Sequence, residues 1–448
     1  MALRVTEAPP RRRHEAQSAR SKLRSASASA ARHPPGHRSE LGKSAVRRLD
    51  EEPGLALFFW TGELLGKSAK GRVALALETC GFEILETMDL DARRISAASG
   101  DPLGRNSPSN DALATMFVGF DLMAIRPSPE LLERRPSLDN DRIMEAEAEG
   151  RKVVRNGLCS DAGSESLRST DNSSQAWELI RLLAPDREAQ LRSAIARRKA
   201  EFATRFEVVR DLTRRGRRSK VELIRYGAGL AVKKTFRHQC RRYLEREASF
   251  LETMSTQRPE ILPVLERGEN YLITRFVEAQ PRRARFLGQG YPKLMKLGQV
   301  RAAADLLRFL FSRGYDPVDM SPHNLLVDAT GRLTAIDFEF LHKSDEAINP
   351  ERSICLGGLK DDFEGDWPQE GDWWLSDPYR LRWFAHTGLT RRRFLYGPLW
   401  LQRIERAVNY PAFLATKALT QVARRVLRGF QRHPRHKERL RRKPHQEL

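Results

Sequence analysis

The chain has 448 residues, 40% hydrophobic and 31% charged, with 79 Lys and Arg against 58 Asp and Glu, giving a formal charge of +21. That length exceeds one ordinary core and implies about two or three domains, and the basic excess favours polyanionic partners such as nucleic acid, an anionic membrane face or phosphorylated substrates. Cys80, Cys159, Cys240 and Cys355 lack any CxxC spacing, which excludes a zinc ribbon or a dense disulfide framework and favours a reducing compartment, and the apolar run GLALFFW at 54–60 falls far short of the roughly 20 residues of a membrane span.

Residues 1–52 are rich in Arg, Ser, Ala, Pro and Gly, with RRRH at 11–14 and SASASAA at 25–31. Such a stretch buries too little apolar surface to offset its chain entropy, so a disordered basic segment is expected. Its Arg-rich, acid-poor character also fits an organelle transit peptide, although Pro9, Pro10, Pro34 and Pro35 interrupt any amphipathic helix.

From 53 to 185 the pattern is globular. LALFFW predicts a strand, VALALETC a helix, and GFEILETMDL a strand entered through a helix stop at Gly81. After a polar loop at 96–111, ATMFVGFDLMAIRP predicts another buried strand, so the whole is expected to be an α+β domain. Residues 186–204 predict a connecting helix, with Leu191 and Ile195 among charges.

Residues 205–280 predict a small five-stranded lobe. RFEVVRDL, KVELIRYG and GLAVKKTF are three strands, separated by RRGRR at 214–218 and by a turn at Gly227 and Gly229. CRRYLEREASFLETM places Tyr243, Leu244, Ala248 and Leu251 on one helix face, and PVLERG and NYLITRF are two further strands. Within 281–400 comes a long helix, KLMKLGQVRAAADLLRFLFSRG, and then VDMSPHNLL. The tail, 401–448, is helical and basic: Leu419, Val422, Val426 and Phe430 recur at helical spacing among Arg424, Arg425 and Arg428, with the stripe expected to pack and the arginines to face water.

Chemistry concentrates in one ordered set. NLLVDATGRLTAIDFEF has the pattern of a hairpin that brings Asn324, before its first strand, near Asp337, at the end of its second. An amide and a carboxylate so placed suit magnesium, and Asp319, five residues before Asn324, is placed to accept a hydroxyl proton. Upstream, Lys233 and Lys234 lie on a predicted strand and Glu247 on the next helix, a pairing that would hold one lysine against phosphates. Strand alternation puts only one of the two lysines into the cleft. Alanine at 231 favours Lys233 and the strand end K-T-F-R favours Lys234, so both stand as candidates. Taken singly, these residues equally suit a capped turn and a polar-ended hairpin; the ordered set favours a nucleotide site.

With those residues in hand, 205–400 resembles the protein-kinase-like fold, and VDMSPHN and IDFEF are most similar to its small-molecule and atypical branch, the aminoglycoside, choline and lipopolysaccharide kinases. The resemblance implies a bilobal fold (205–280 and 281–400), ATP and Mg as cofactors, Asp319 as base, Asn324 and Asp337 as metal ligands, and Lys233 or Lys234 on the α/β-phosphates with Glu247. Phe276 and Val277 would form the hinge that receives adenine. It implies transfer of phosphate to a hydroxyl of a small molecule, sugar or lipid-linked glycan. The cysteine usage points separately to the cytoplasm, and the tail's own apolar stripe and arginines admit peripheral contact with an anionic membrane as the alternative to packing. Three positions depart from the pattern: Pro317 replaces the usual His two before the base, Glu339 replaces the Gly of D-F-G, and RRGRR holds one glycine where the family has a run. They direct the reading away from protein kinases, and also admit a nucleotide-binding pseudokinase.

Residues 53–185 carry a weaker resemblance to nucleoside diphosphate kinases, a ferredoxin-like α+β family. In ESLRSTDNSSQAWELI, Arg168 stands where that family has its phosphoryl-carrier histidine, and no histidine occurs between His37 and His238. Phosphohistidine chemistry is therefore excluded, and a sensing or scaffolding role is implied. Capping of the following helix by Ser169, Thr170 or Asp171 explains the same residues. His323 is expected to be a hydrogen-bonding loop residue and KDDFEGD at 360–366 a solvated acidic loop. Charge alone permits nucleic-acid binding, but no zinc-finger, RNA-reading or helix-turn-helix pattern accompanies it.

Overall fold

The computed structural model describes residues 53–61, 67–91, 113–157, 167–214, 216–281, 283–286, 289–360, 363–368 and 377–432. The basic segment 1–52, the polar loop at 96–111 and the terminal KERLRRKPHQEL lie outside the described residues. What is described is α+β.

A first sheet is built from β1 (Leu55–Thr61), α1 (Lys67–Thr79), β2 (Glu83–Asp91), β3 (Leu113–Phe120), α2 (Arg142–Gly157) and β4 (Leu167–Ser169). Its order is β2-β3-β1-β4, with every neighbouring pair antiparallel. β1 is apolar from Leu55 to Trp60 because both of its faces are covered. Leu55, Leu57 and Phe59 pack with Trp177 and Ile180 of α3 (Ser173–Leu183) and Leu191 and Ile195 of α4 (Glu188–Phe202). Ala56, Phe58 and Trp60 point the other way, onto Val73 and Leu77 of α1 and Ile143 and Ala146 of α2. Each large side chain so buried contributes about 1.5–3 kcal/mol. Gly81 ends α1 with φ 103°, and a Cβ there would lie 2.9 Å from the Arg142 guanidinium.

The second sheet holds β5 (Val208–Asp211), β6 (Ser219–Tyr226), β7 (Gly229–Phe236), β8 (Val264–Arg267) and β9 (Tyr271–Arg275), in the order β5-β6-β7-β9-β8. α5 (Arg241–Met254) follows β7 and buries Leu244, Ala248 and Leu251, as their spacing predicts. These side chains join Val300, Leu307 and Phe311 of α6 (Leu297–Ser312) in the largest core among the described residues. A hairpin, β10 (Arg283–Phe286) and β11 (Gln289–Pro292), precedes α6.

After α6 come β12 (Tyr315–Pro317), β13 (Leu325–Val327), β14 (Leu333–Ala335), β15 (Leu341–Lys343) and the short α7 (Ile354–Gly357). β13 and β14 form the expected hairpin, Leu325 opposite Ala335, around Gly331 at φ 89°. α8 (Arg391–Tyr396) and α9 (Leu399–Arg432) close the described chain. No helix among the described residues is long and apolar enough to cross a membrane.

The strand expected from ATMFVGFDLMAIRP stops at Phe120 because Asp121 turns into a polar cluster between the two sheets. The Asp121 carboxylate accepts hydrogen bonds from Arg142 Nη1 (2.9 Å), Asn140 Nδ2 (3.0 Å) and Arg237 Nη2 (2.7 Å). Arg237 also donates to the Gly216 carbonyl at 2.7 Å and to that of Gly81. Alongside, Arg217 pairs with Glu145 of α2 at 2.7 Å. The turn between β5 and β6 is therefore held from the side of the first sheet.

Candidate active site

The two adjacent lysines of β7 face opposite ways, as a pleated strand requires. Lys234 Nζ donates to Glu247 Oε2 (2.8 Å) and Asp337 Oδ1 (2.7 Å), and lies 3.1 Å from Glu339 Oε2. Lys233 is buried on the other face, its ammonium 4.7 Å from the Tyr271 ring centre, where burial lowers its pKa although Glu222 opposes the shift. The structure thus gathers Lys234, Glu247 and Asp337, and leaves Lys233 outside that group.

Glu247 projects from the buried face of α5 and accepts from the Phe338 N–H at 3.3 Å as well as from Lys234. Arg246, its neighbour, donates to the Glu339 carbonyl at 3.0 Å, and the Phe250 ring meets Phe338 with centroids 4.4 Å apart. Two consecutive residues, Phe338 and Glu339, are thus gripped by one helix, while Asp337 before them is held by Lys234 of β7. Asp337 itself has φ 69° and is the one non-glycine residue with positive φ among those described. Such backbone costs of order 1–3 kcal/mol and persists where surrounding contacts impose it, here the ion pair to Lys234. It also explains why β14 ends at Ala335, two residues before Asp337.

Charge in this cluster is unbalanced. Burial works against the Lys234 ammonium, but Asp337, Glu247 and Glu339 outweigh it and hold its pKa well above the usual lysine value. Glu339 is also opposed by burial, yet Lys234 and Arg218 keep it below the ordinary range, with Arg218 Nε 2.7 Å from its Oε1. Glu247 shows the opposite outcome: burial pushes it up to about 7 despite Lys234. Nearby, burial and the charges of Asp337 and Glu339 push Asp319 up to about 8. This surplus of negative charge is what a divalent cation would relieve.

The donor set fits an oxygen-seeking ion. Asn324 donates through Nδ2 to the Asp319 carbonyl (3.0 Å), and its amide oxygen takes no hydrogen bond from any described residue. The Ile336 N–H donates to the Asn324 carbonyl (2.9 Å), which sets Asn324 beside the residue that precedes Asp337. Glu247, Asp337 and Glu339 offer oxygens within 4.8 Å of one another. Asp337 and Asn324 would hold magnesium, whose preference is for oxygen ligands.

Phe276 and Val277 lie four and five residues beyond Leu272, the strand partner of Lys234. The Phe276 N–H donates to the Leu230 carbonyl (3.3 Å) and the Gln280 N–H to the Val327 carbonyl (2.8 Å), so this stretch ties β7 to the β13–β14 hairpin. His323 sets its ring edge-on to His386 with centroids 5.4 Å apart. In KDDFEGD, Asp361 and Asp362 lie outside the described residues; Asp366 pairs with Arg246 at 2.7 Å and Arg242 at 3.1 Å, so it is engaged by α5. A cavity of about 470 Å³ beside Arg246, Phe250, His342 and Asp366 includes none of the Lys234 cluster.

Arg168 lies on β4 opposite Phe59, and the helix after it is capped by Asn172, whose side chain accepts from the Gln175 N–H at 2.8 Å. Capping therefore falls to Asn172, where Ser169, Thr170 or Asp171 was expected. Thr170 and Ser173 instead bond the backbone of β1, and Asp171 accepts from Arg135.

Sequence reasoning missed Arg218 as the partner of Glu339; the only signal was an acidic residue after Asp-Phe. It also missed Asp316, whose Oδ2 accepts from the Ile354 N–H (2.7 Å) and ties the start of the Asp319 loop to α7. Burial pushes Asp316 up to about 6 from an unfolded value of 3.8. The folded state thus holds this proton more tightly, so the associated stability is complete below about pH 4 and lost as pH rises through about 6. Asp316→Asn removes that loss. Its stability relative to wild type is expected to climb between those pH values by roughly 3 kcal/mol, measured by urea titrations across pH; a constant difference would exclude this account.

Comparison of the chain with protein-family models and with curated proteins finds no match to either.

Proposed function

We propose that the chain is an ATP- and magnesium-dependent phosphotransferase that acts on a hydroxyl group. The observation that carries the reading is Lys234 bridging Glu247 of α5 and Asp337, the residue of left-handed backbone just after the Asn324 hairpin. The sheet order β5-β6-β7-β9-β8 with one accompanying helix supports a protein-kinase-like bilobal fold. The first sheet, with its strand–helix–strand–strand–helix–strand order, supports a ferredoxin-like domain resembling nucleoside diphosphate kinases without their histidine.

In this reading Lys234 neutralises the α/β-phosphates, and Glu247 holds the lysine extended. Asn324 and Asp337 would hold magnesium, which neutralises triphosphate charge. Asp319, held protonated first by burial and then by the charges of Asp337 and Glu339, would have the second of these causes offset if a cation were bound, and its carboxylate would then orient the acceptor hydroxyl and take its proton. Phe276 and Val277 edge the adenine site. Glu339, in place of the glycine after Asp-Phe, favours a small-molecule, sugar or lipid-linked acceptor over a protein.

One observation favours a second reading. Glu339 already pairs with Lys234 and Arg218, the two cations a triphosphate would need. A pseudokinase that binds nucleotide as a regulatory module would keep that pair closed. Transfer of labelled γ-phosphate to the small molecules of a cell extract decides between them. Wild type is expected to form labelled products, and Asp319→Asn to slow their formation about a hundredfold. Equal rates for the two proteins, or no product with either, would remove the enzyme reading.

A further inference from the structure

The two sides of α9 differ in what they touch. On its inner side Gln402 donates to the Arg393 carbonyl (2.8 Å), Tyr410 to the Pro292 carbonyl (3.0 Å), Asn409 to the Gly388 carbonyl (3.2 Å) and Arg406 to the Met295 carbonyl. Phe413 lies against Phe384. These contacts fix the rotation of the helix about its axis. On the outer side Trp400, Ile404, Val408 and Leu419 are 62%, 55%, 65% and 71% exposed.

Trp400, Ile404, Val408, Ala415 and Leu419 follow one another at intervals of four, four, seven and four residues and form a single apolar seam more than five turns long. A tail stripe was expected to pack; Leu419, its first residue, is instead open, while the side chains of Val422, Val426 and Phe430 lie outside the described residues. Burying an apolar seam of this length in water's absence is favourable, and nothing in the described chain does so. Arg403 and Lys417 are exposed on the same helix, Arg392 and Arg393 on α8 beside it, and in sequence Arg424, Arg425 and Arg428 extend the charge. Glu405 is the only acidic residue from 399 to 432.

We propose that α9 docks on an anionic lipid bilayer, lying in its interfacial plane with Trp400, Ile404, Val408 and Leu419 among the acyl chains and Arg403 and the exposed arginines of α8 at the headgroups. An apolar seam with basic residues and a tryptophan at one end is the chemistry that binds such a surface. A protein groove would bury the seam but supplies no reason for the surrounding positive charge, whereas anionic headgroups supply it. The inference does not depend on the chemistry assigned to the Lys234 cluster.

The test is flotation of the full chain with vesicles of phosphatidylcholine alone or with added phosphatidylserine, for wild type and for the triple variant Trp400→Ser, Ile404→Ser, Val408→Ser. Wild type is expected to float with the anionic vesicles and to be released by high salt. The triple variant is expected to bind about tenfold or more weakly at an unchanged Tm. Equal binding by the two proteins, or no binding by wild type, overturns the proposal. So does a dimer in light scattering that the triple variant dissociates, since a second copy then covers the seam. A fall in Tm of several degrees overturns it too, since the seam is then covered by the chain itself.

Discussion

Lys234→Met is expected to lower phosphate transfer about a thousandfold, the scale of removing a charge aimed at the reacting groups, while Lys233→Met leaves the rate close to wild type. The two residues are adjacent and chemically identical, so any difference must come from their surroundings. Lys234 is shared by Glu247, Asp337 and Glu339. Methionine keeps its stem but withdraws the one cation that all three approach. Glu247, already at about 7, then rises further and takes a proton, and the link from α5 to Asp337 is broken. Lys233 touches Tyr271 on the far side of the sheet, and Glu222 nearby keeps Lys220 as a partner at 2.6 Å. A second readout separates chemistry from binding: ATP should raise the Tm of Lys233→Met and not of Lys234→Met. Loss of transfer in the Lys233 variant with retention in the Lys234 variant would reverse the assignment of the cleft face.

The second large effect concerns stability. Arg237→Ala is expected to cost about 3–5 kcal/mol in urea unfolding, because it breaks a buried pair and strips hydrogen bonds from two carbonyls. Arg237 is 2% exposed and Asp121 fully buried, so no water replaces what is lost. Arg237→Lys should restore little, since an ammonium cannot reach Asp121, Gly216 and Gly81 together as the guanidinium fork does. The double variant Arg237→Ala, Asp121→Ala should cost less than the sum of the singles, as expected for groups in one network. A single-variant cost below about 1 kcal/mol would mean that the two sheets are joined by something else. Under the proposed function, the same loss frees the β5–β6 turn that carries Arg218, so KM for ATP should rise more than kcat falls.

Much of the local structure was legible because it depends on neighbours in sequence. LALFFW is a strand covered on both faces, α5 shows its buried positions at helical spacing, and DATGR closes a hairpin that sets Asn324 one residue from Asp337 in space. Asn172 displaced the nearer candidates as a cap because Thr170 and Ser173 are drawn into bonds with β1, a long-range effect invisible in a local window. The apolar spacing of α9 was visible too, but whether the stripe met protein or water was not, since that depends on which side of the helix the rest of the chain covers.

By itself, then, the sequence determined the α+β class, the strands and helix of the five-stranded lobe and the Asn324–Asp337 hairpin, and it narrowed the cleft lysine to two adjacent candidates, because periodicity and turn chemistry act over a few residues. Tertiary structure decided which lysine meets Glu247, that Glu339 closes on Lys234 and Arg218, and that Asp121 and Arg237, 116 residues apart, join the two sheets. Those outcomes depend on which face of a strand or helix is buried, and burial is a property of the packed chain as a whole.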